Sequence, residues 1–349
     1  MIRKPVVLCL DILPHAMREL VAAQAPEGVE LVFVETPNEQ EQMAKVREAD
    51  HILCSWTPVP RSVIEAAPRL KLIQKYGIGV DKIDLDAAAR RGVPVCIAAG
   101  VNAVAVAETA ITLMLAVYKR LCVAHNSLRA GQWLKWELRT GCYELWQKTV
   151  GLIGGGHIGR AVAKRLCHGF ECRVLYYDVC RLPPETEAAY GMTYASMEEL
   201  LRQADIVSLH VPLMSETRGL IGAKALAMMK PSAVLINTSR GGVVDESALI
   251  EALEKGVIAS AGLDVFAKEP PDRDNPLLRM DNVVATPHNG GGTVDTMKRI
   301  VGHAFDNIMR VERGEPLPAA DRVMRSKESE EEALIGGNCS GRFLTRFTG

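Results

Sequence analysis

Short apolar runs alternate with polar, helix-patterned stretches along most of this chain. Ahead of residue 100 the runs fall at 6–10, 31–34, 51–54, 70–73 and 93–97, rich in Val, Ile and Leu without strict polar–apolar alternation. Strands buried on both faces read this way, so the pattern predicts a parallel sheet with helices on both sides. A second series begins at Val150 and continues at 174–177, 206–210, 233–237, 258–263 and 283–286. Helix-patterned segments separate these strands, among them 196–202, where Ser196 and Glu199 have the spacing of a capping box. The class expected is α/β, with two doubly wound parallel-sheet domains.

The first strand of the second series runs into a glycine turn. Val150, Leu152 and Ile153 precede Gly154, Gly156 and Gly159, a G-x-G-x-x-G, and Ile158, Ala161, Val162 and Leu166 then recur at helical spacing. The first glycine turns the chain, the second lets backbone approach a pyrophosphate, and the third lets helix pack on strand. Phosphates would face the helix N-terminus. The next strand ends in Asp178, about 20 residues beyond the motif, where a ribose-binding acid falls. Together these features predict an NAD site in a Rossmann domain. Asp178 favours NAD over NADP, because a carboxylate accepts the ribose hydroxyls and repels a 2′-phosphate; Arg181 nearby works against that preference.

Between the two series, segment 102–118 starts at Asn102, a good N-cap residue, and is apolar nearly all round. It holds Glu108 and Thr112 and is shorter than the about 20 residues of a membrane span, so a buried helix joining two domains is expected. Its apolar faces could also pack against a second subunit, giving a homodimer. Trp133, Trp136 and Trp146 cluster in the polar stretch that follows, as anchors at a subunit interface or as packing between domains. Segment 294–310 is helix-patterned with no strand after it, and so returns to the first domain. The boundaries expected are 1–99 and 289–318 for a flavodoxin-like substrate domain, 100–288 for the inserted NAD-binding domain, and 319–349 for a charged, then Gly- and Ser-rich tail without core pattern. This topology would set the cofactor and a glycine loop at Gly77 and Gly79, able to offer amides to an anion, on opposite walls of one cleft.

Composition removes several functional classes. A formal charge of −1 over 349 residues, with both signs intermixed, gives no footprint for nucleic acid and no polybasic patch for a membrane. The N-terminal apolar run breaks at Asp11 and makes a poor signal peptide. Nine cysteines are scattered without a C-x-x-C pair, which fits reduced packing thiols, a cytoplasmic location and no metal site.

Three strand ends of the second series carry polar groups: Arg240 beside Gly241 and Gly242, Asp264 with Glu269, and His288 before a run of Asn and Gly. Loops after parallel strands converge on one sheet edge, the edge of the glycine turn, so a base, an acid and a cation would meet near a nicotinamide. Reducing a 2-keto acid leaves charge on oxygen and needs a proton donor poised near neutral pH, which suits His288. Glu269 would orient that ring and favour its charged form, and Arg240 would polarise the keto oxygen and fork the carboxylate.

Four motifs, VGLIGGGHIG, HVPLMSETRGLIG, INTSRGGVVDE and TPHNGG, resemble the D-isomer-specific 2-hydroxyacid dehydrogenases, which include glyoxylate/hydroxypyruvate reductases and 3-phosphoglycerate dehydrogenases. The likeness runs from Val6 to about Pro318. It implies that Arg240, Glu269 and His288 are the catalytic triad, and that Ile78 and Gly79 give amides to the substrate carboxylate. It implies NAD contacts at His157, Ile158, Asp178, Thr217, Thr238 and Asp264, with Val106 and His210 on the nicotinamide side. Glu269 stands where formate dehydrogenases have glutamine, which argues against that activity. Asn289, Ser239 and Trp146 depart from the family pattern, and the first two lie where they could reshape the pocket. The resemblance implies a hydride transfer between NAD and a small D-2-hydroxy acid or its keto form. The alternative is an NAD(H)-sensing binding protein, like the C-terminal-binding corepressors, with little turnover. Lys75 beside the Gly77 loop leaves a phosphorylated acid among the candidate substrates, and no added regulatory domain is expected.

Overall fold

The Val-, Ile- and Leu-rich runs form strands in two all-parallel sheets. The computed structural model describes residues 3–323. The first sheet holds β1 (Val6–Cys9), β2 (Glu30–Phe33), β3 (His51–Cys54), β4 (Leu72–Lys75) and β5 (Val95–Cys96) in the order β2-β1-β3-β4-β5. The second holds β6 (Thr149–Ile153), β7 (Arg173–Tyr177), β8 (Met192–Tyr194), β9 (Ile206–Leu209), β10 (Val234–Asn237), β11 (Ser260–Leu263) and β12 (Val283–Ala285) in the order β12-β11-β10-β9-β6-β7-β8. The former is the flavodoxin-like order. The latter is the Rossmann order with an added edge strand, so the expected α/β class holds.

The chain divides into two units, one up to Asn102 together with the chain from Gly292, the other Ala103–Gly291. In the first, Val7, Leu53 and Leu72 pack beneath Ile300, Val301, Ala304, Phe305 and Ile308 of the helix Val294–Arg313. In the second, the helix Ala103–Tyr118 lies close against the sheet: a Cβ at Gly262 on β11 would stand 3.0 Å from Leu113 Cβ and 2.8 Å from Ile236 Cδ1. Among the described residues, no helix is long and apolar enough to cross a membrane.

Several local expectations shift. β4 lies two residues past the apolar run 70–73, because the buried Gln74 and Lys75 belong to the strand while Leu70 packs in the core before it. β8 is a short edge strand whose residues Met-Thr-Tyr give no apolar run. The helix begins at Ala103, and Asn102 Oδ1 is buried with no hydrogen-bond partner, so it does not cap. The Ser196–Glu199 capping box is present with both of its hydrogen bonds. Past Pro318 the chain stays on the first sheet: the Ile97 amide donates to the Asp321 carbonyl at 2.8 Å and the Val323 amide to that of Val95 at 2.9 Å. The rest of the expected tail, 324–349, lies outside the described residues.

Candidate active site

The glycine turn is shaped by what its neighbours leave open. Gly154 has φ +109°, and a Cβ there would meet the His210 carbonyl oxygen at 2.5 Å; at Gly159 it would meet the Gly154 oxygen at 2.1 Å. A Cβ on Gly156 would meet nothing within 4 Å, so this glycine keeps space open ahead of the helix His157–Phe170. That open cradle, with no acid in the helix's first turn, fits a pyrophosphate. Asp178 Oδ2 accepts from the Gly155 amide at 2.7 Å and Oδ1 from the Cys180 amide at 3.2 Å. Burial raises the pKa of this carboxyl, with the Gly155, Cys180 and Val179 amides pulling against it. The Thr238 hydroxyl is buried without a partner. The residues present thus fit a dinucleotide, which was expected from the motif.

Other residues expected at the cofactor play mixed parts. Ile158 is partly buried and packs its side chain on the second unit's core. Thr217 Oγ1 donates to the Pro212 carbonyl at 2.6 Å and accepts from the Met214 amide at 2.8 Å, which ties up its own loop. Val106 is buried on the helix Ala103–Tyr118. His157 stands at the helix start with much of its surface in solvent, and partial desolvation of its ring, followed by the charge of Arg160, lowers its pKa. His210 pairs with Ser208 Oγ at 3.0 Å, and desolvation pushes its pKa down to about 3, so the ring is neutral near pH 7.

The polar strand ends do converge. His288 Nδ1 lies 2.8 Å from Glu269 Oε2, and Glu269 Oε1 accepts from the Phe266 amide at 3.1 Å. Burial tends to raise the Glu269 pKa, but the hydrogen bond from His288, the Phe266 amide, and the charges of His288 and Arg240 outweigh it and hold the carboxyl below its usual range. Arg240 is therefore electrically part of the group. It follows β10, where Asn237 sets the turn: Oδ1 accepts from the Ser239 amide at 3.0 Å and hydroxyl at 2.8 Å, while Nδ2 donates to the Arg240 carbonyl at 2.9 Å.

Asp264 holds the histidine loop. Its Oδ1 accepts from Thr286 Oγ1 at 2.6 Å and the Asn289 amide at 2.9 Å, its Oδ2 from the Gly290 amide at 2.8 Å, and its carbonyl from the His288 amide at 2.7 Å. Its carboxylate is thus spent on the loop that presents His288. Glu246 likewise braces the Glu269 segment, accepting from the Ala267 amide at 2.9 Å and Asn275 Nδ2 at 2.8 Å.

Ile78 and Gly79 belong to the first unit, in the loop after β4. Lys75 is buried there and its Nζ donates to the Ser55 carbonyl. Asn237, Glu246 and Gly241 were not singled out as functional by the motifs, although Asn237 and Gly241 lie inside INTSRGGVVDE. Among the described residues, no three His, Cys, Asp or Glu side chains gather as a metal set.

Comparison with known proteins gives the same chemistry. Residues 111–290 match the model of the D-isomer specific 2-hydroxyacid dehydrogenase, NAD binding domain. The chain is 43% identical over 305 residues to a glyoxylate reductase of Thermofilum pendens, covering 86% of this chain and 89% of that one. It is 40% identical to a D-3-phosphoglycerate dehydrogenase of Methanocaldococcus jannaschii, covering 84% of this chain and 55% of the relative. Among solved structures, a glyoxylate reductase from Paecilomyes thermophila superposes with a TM-score of 0.79 at 33% identity, covering 93% and 99% of the two chains. The holo form of Rhodotorula graminis D-mandelate dehydrogenase superposes with a TM-score of 0.83 at 30% identity, covering 93% and 99%.

Proposed function

Since the chain belongs to the D-isomer-specific 2-hydroxyacid dehydrogenase family and is an NAD(P)-dependent oxidoreductase of 2-keto acids, we propose that it uses NAD and reduces a small, unphosphorylated acid such as glyoxylate through Arg240, Glu269 and His288. The His288–Glu269 pair at 2.8 Å carries this reading. With Nδ1 held by the carboxylate, Nε2 is the nitrogen that delivers a proton to the keto oxygen and recovers it in the reverse direction. Arg240 forks the substrate carboxylate and draws charge from the carbonyl, and the Ile78 and Gly79 amides give further donors to the carboxylate. The bound dinucleotide supplies the hydride.

NAD is favoured by Asp178, buried at 7% exposure and oriented by backbone amides, and by Arg181, whose guanidinium is engaged with Glu187 at 2.9 and 3.0 Å. A small acid is favoured over a phosphorylated one by Lys75, whose ammonium points inward to the Ser55 carbonyl. A homodimer is favoured by the exposure of Trp133, Trp136 and Trp146 at 74%, 64% and 55% on one stretch of the second unit. Steady-state rates with NADH across glyoxylate, hydroxypyruvate, phosphohydroxypyruvate and bulkier keto acids test the function. The expected order puts glyoxylate or hydroxypyruvate first. NADH binding with no turnover on the whole panel would favour a sensor instead.

A further inference from the structure

The first unit's sheet changes direction at β1: β2 lies on one side of it and β3 on the other. In open α/β sheets, ligands sit at such switch points, outside the carboxyl ends of the strands. Asp11 stands there, just past β1, and is only 4% exposed. Its Oδ1 accepts from the Trp56 and Thr57 amides, both at 2.8 Å, and its Oδ2 from the Ser55 amide at 2.5 Å and the Tyr76 hydroxyl. Three consecutive amides after β3 thus close on an internal carboxylate, as a nest closes on an anion. The same carboxylate holds Tyr76, the residue before Gly77, while the Gly77 carbonyl accepts from the Ala98 amide at 3.0 Å.

Further out, the two loops are joined again. Val59 and Ile83 form a parallel bridge, the Val59 amide donates to the Lys82 carbonyl at 2.9 Å, and the Lys82 ammonium lies 4.5 Å from the centre of the Trp56 ring. The loops 55–59 and 76–83 are therefore tied into one module whose inner anchor is a buried carboxylate. Uncharged replacement leaves amide donors turned inward with too few acceptors, a costly arrangement for a half-buried loop.

We propose that Asp11 is a positioning residue for the keto acid, fixing through the Ser55–Thr57 amides and Tyr76 the loop that presents Ile78 and Gly79. The inference rests on the proposed role of those two residues at the substrate carboxylate.

The test uses the full chain with glyoxylate and NADH. Asp11→Asn is expected to raise KM for glyoxylate at least about tenfold, and Asp11→Ala more, while KM for NADH moves less than about twofold. A purely structural role would lower Tm and the active fraction, hence kcat, and leave KM for glyoxylate in place; that result overturns the proposal. Tyr76→Phe removes one of the four bonds and keeps the carboxylate, so it must raise the same KM by a smaller factor even if the Asp11 variants fail to fold; an unchanged KM in a folded Tyr76→Phe also overturns it. Failure of the underlying reading has a different signature. If Ile78 and Gly79 do not serve the substrate, Gly79→Pro in the wild-type background, which removes that amide N–H, leaves KM for glyoxylate untouched, and the proposal falls with it.

Discussion

At the scale of single residues, the site rests on one short pair. His288→Ala should cut kcat for keto acid reduction by about 10²–10⁴-fold with NADH affinity retained, measured by turnover and fluorescence titration. Retained turnover would remove His288 from the proton transfer. His210 gives a pH prediction of definite sign. Its folded pKa of about 3 lies below the ordinary histidine value of 6.5, so the unfolded chain takes up a proton first as pH falls. Stability from the neutral ring is fully present above about pH 6.5 and declines as pH drops toward 3. The loss of Tm between pH 7 and pH 5 should therefore be smaller in His210→Gln than in the wild type. An equal loss in both would show that the ring is solvated.

At the scale of elements, the placement of Arg240, Glu269 and His288 depends on close approaches between strand-end loops. A Cβ at Gly241 would stand 1.9 Å from the Phe266 carbonyl carbon and 2.4 Å from the Ala267 nitrogen. Gly241→Ala should force the Arg240 turn away from the Glu269 segment, costing about 1–3 kcal/mol of stability and at least about tenfold in kcat/KM. Unfolding curves and rates on the same sample check both. This dependence also explains what could be read from the chain alone. Runs of Val, Ile and Leu reveal strands because burial on both faces demands them, and glycine spacing reveals the turn because only glycine fits it. Arg240, Glu269 and His288 stand out in the chain because each follows such a run. Asp11, Asn237 and Glu246 do not, because an acid or amide at the end of a strand or the start of a helix looks the same in the chain whether it faces water or holds the groups of another loop. Only folding brings Ser55 to Asp11 or Ala267 to Glu246. β8 escaped notice since an edge strand needs only one buried residue, Met192.

At the scale of the whole molecule, cofactor choice and assembly follow from one buried acid and one exposed aromatic stretch. Asp178 predicts kcat/KM for NADH at least about tenfold above that for NADPH, and Asp178→Ala should erode the ratio. A wild-type preference for NADPH would reverse the assignment. The exposed tryptophans predict a mass of twice the chain by light scattering, shifting toward the monomer when Trp133 and Trp136 become Ser; a wild-type monomer at micromolar concentration would contradict it. Conformational strain at one position also enters the stability of the whole. His288 holds φ 50°, a left-handed backbone that histidine adopts at a cost of about 1–3 kcal/mol and that Asn or Gly accepts more readily. Proteins sit only a little above the stability they need. A library of this protein selected for heat resistance alone should therefore drift to Asn or Gly at position 288, gaining robustness by discarding the side chain to which proton transfer is assigned in the proposed function. Any effort to harden the protein must keep a selection for turnover beside the one for survival.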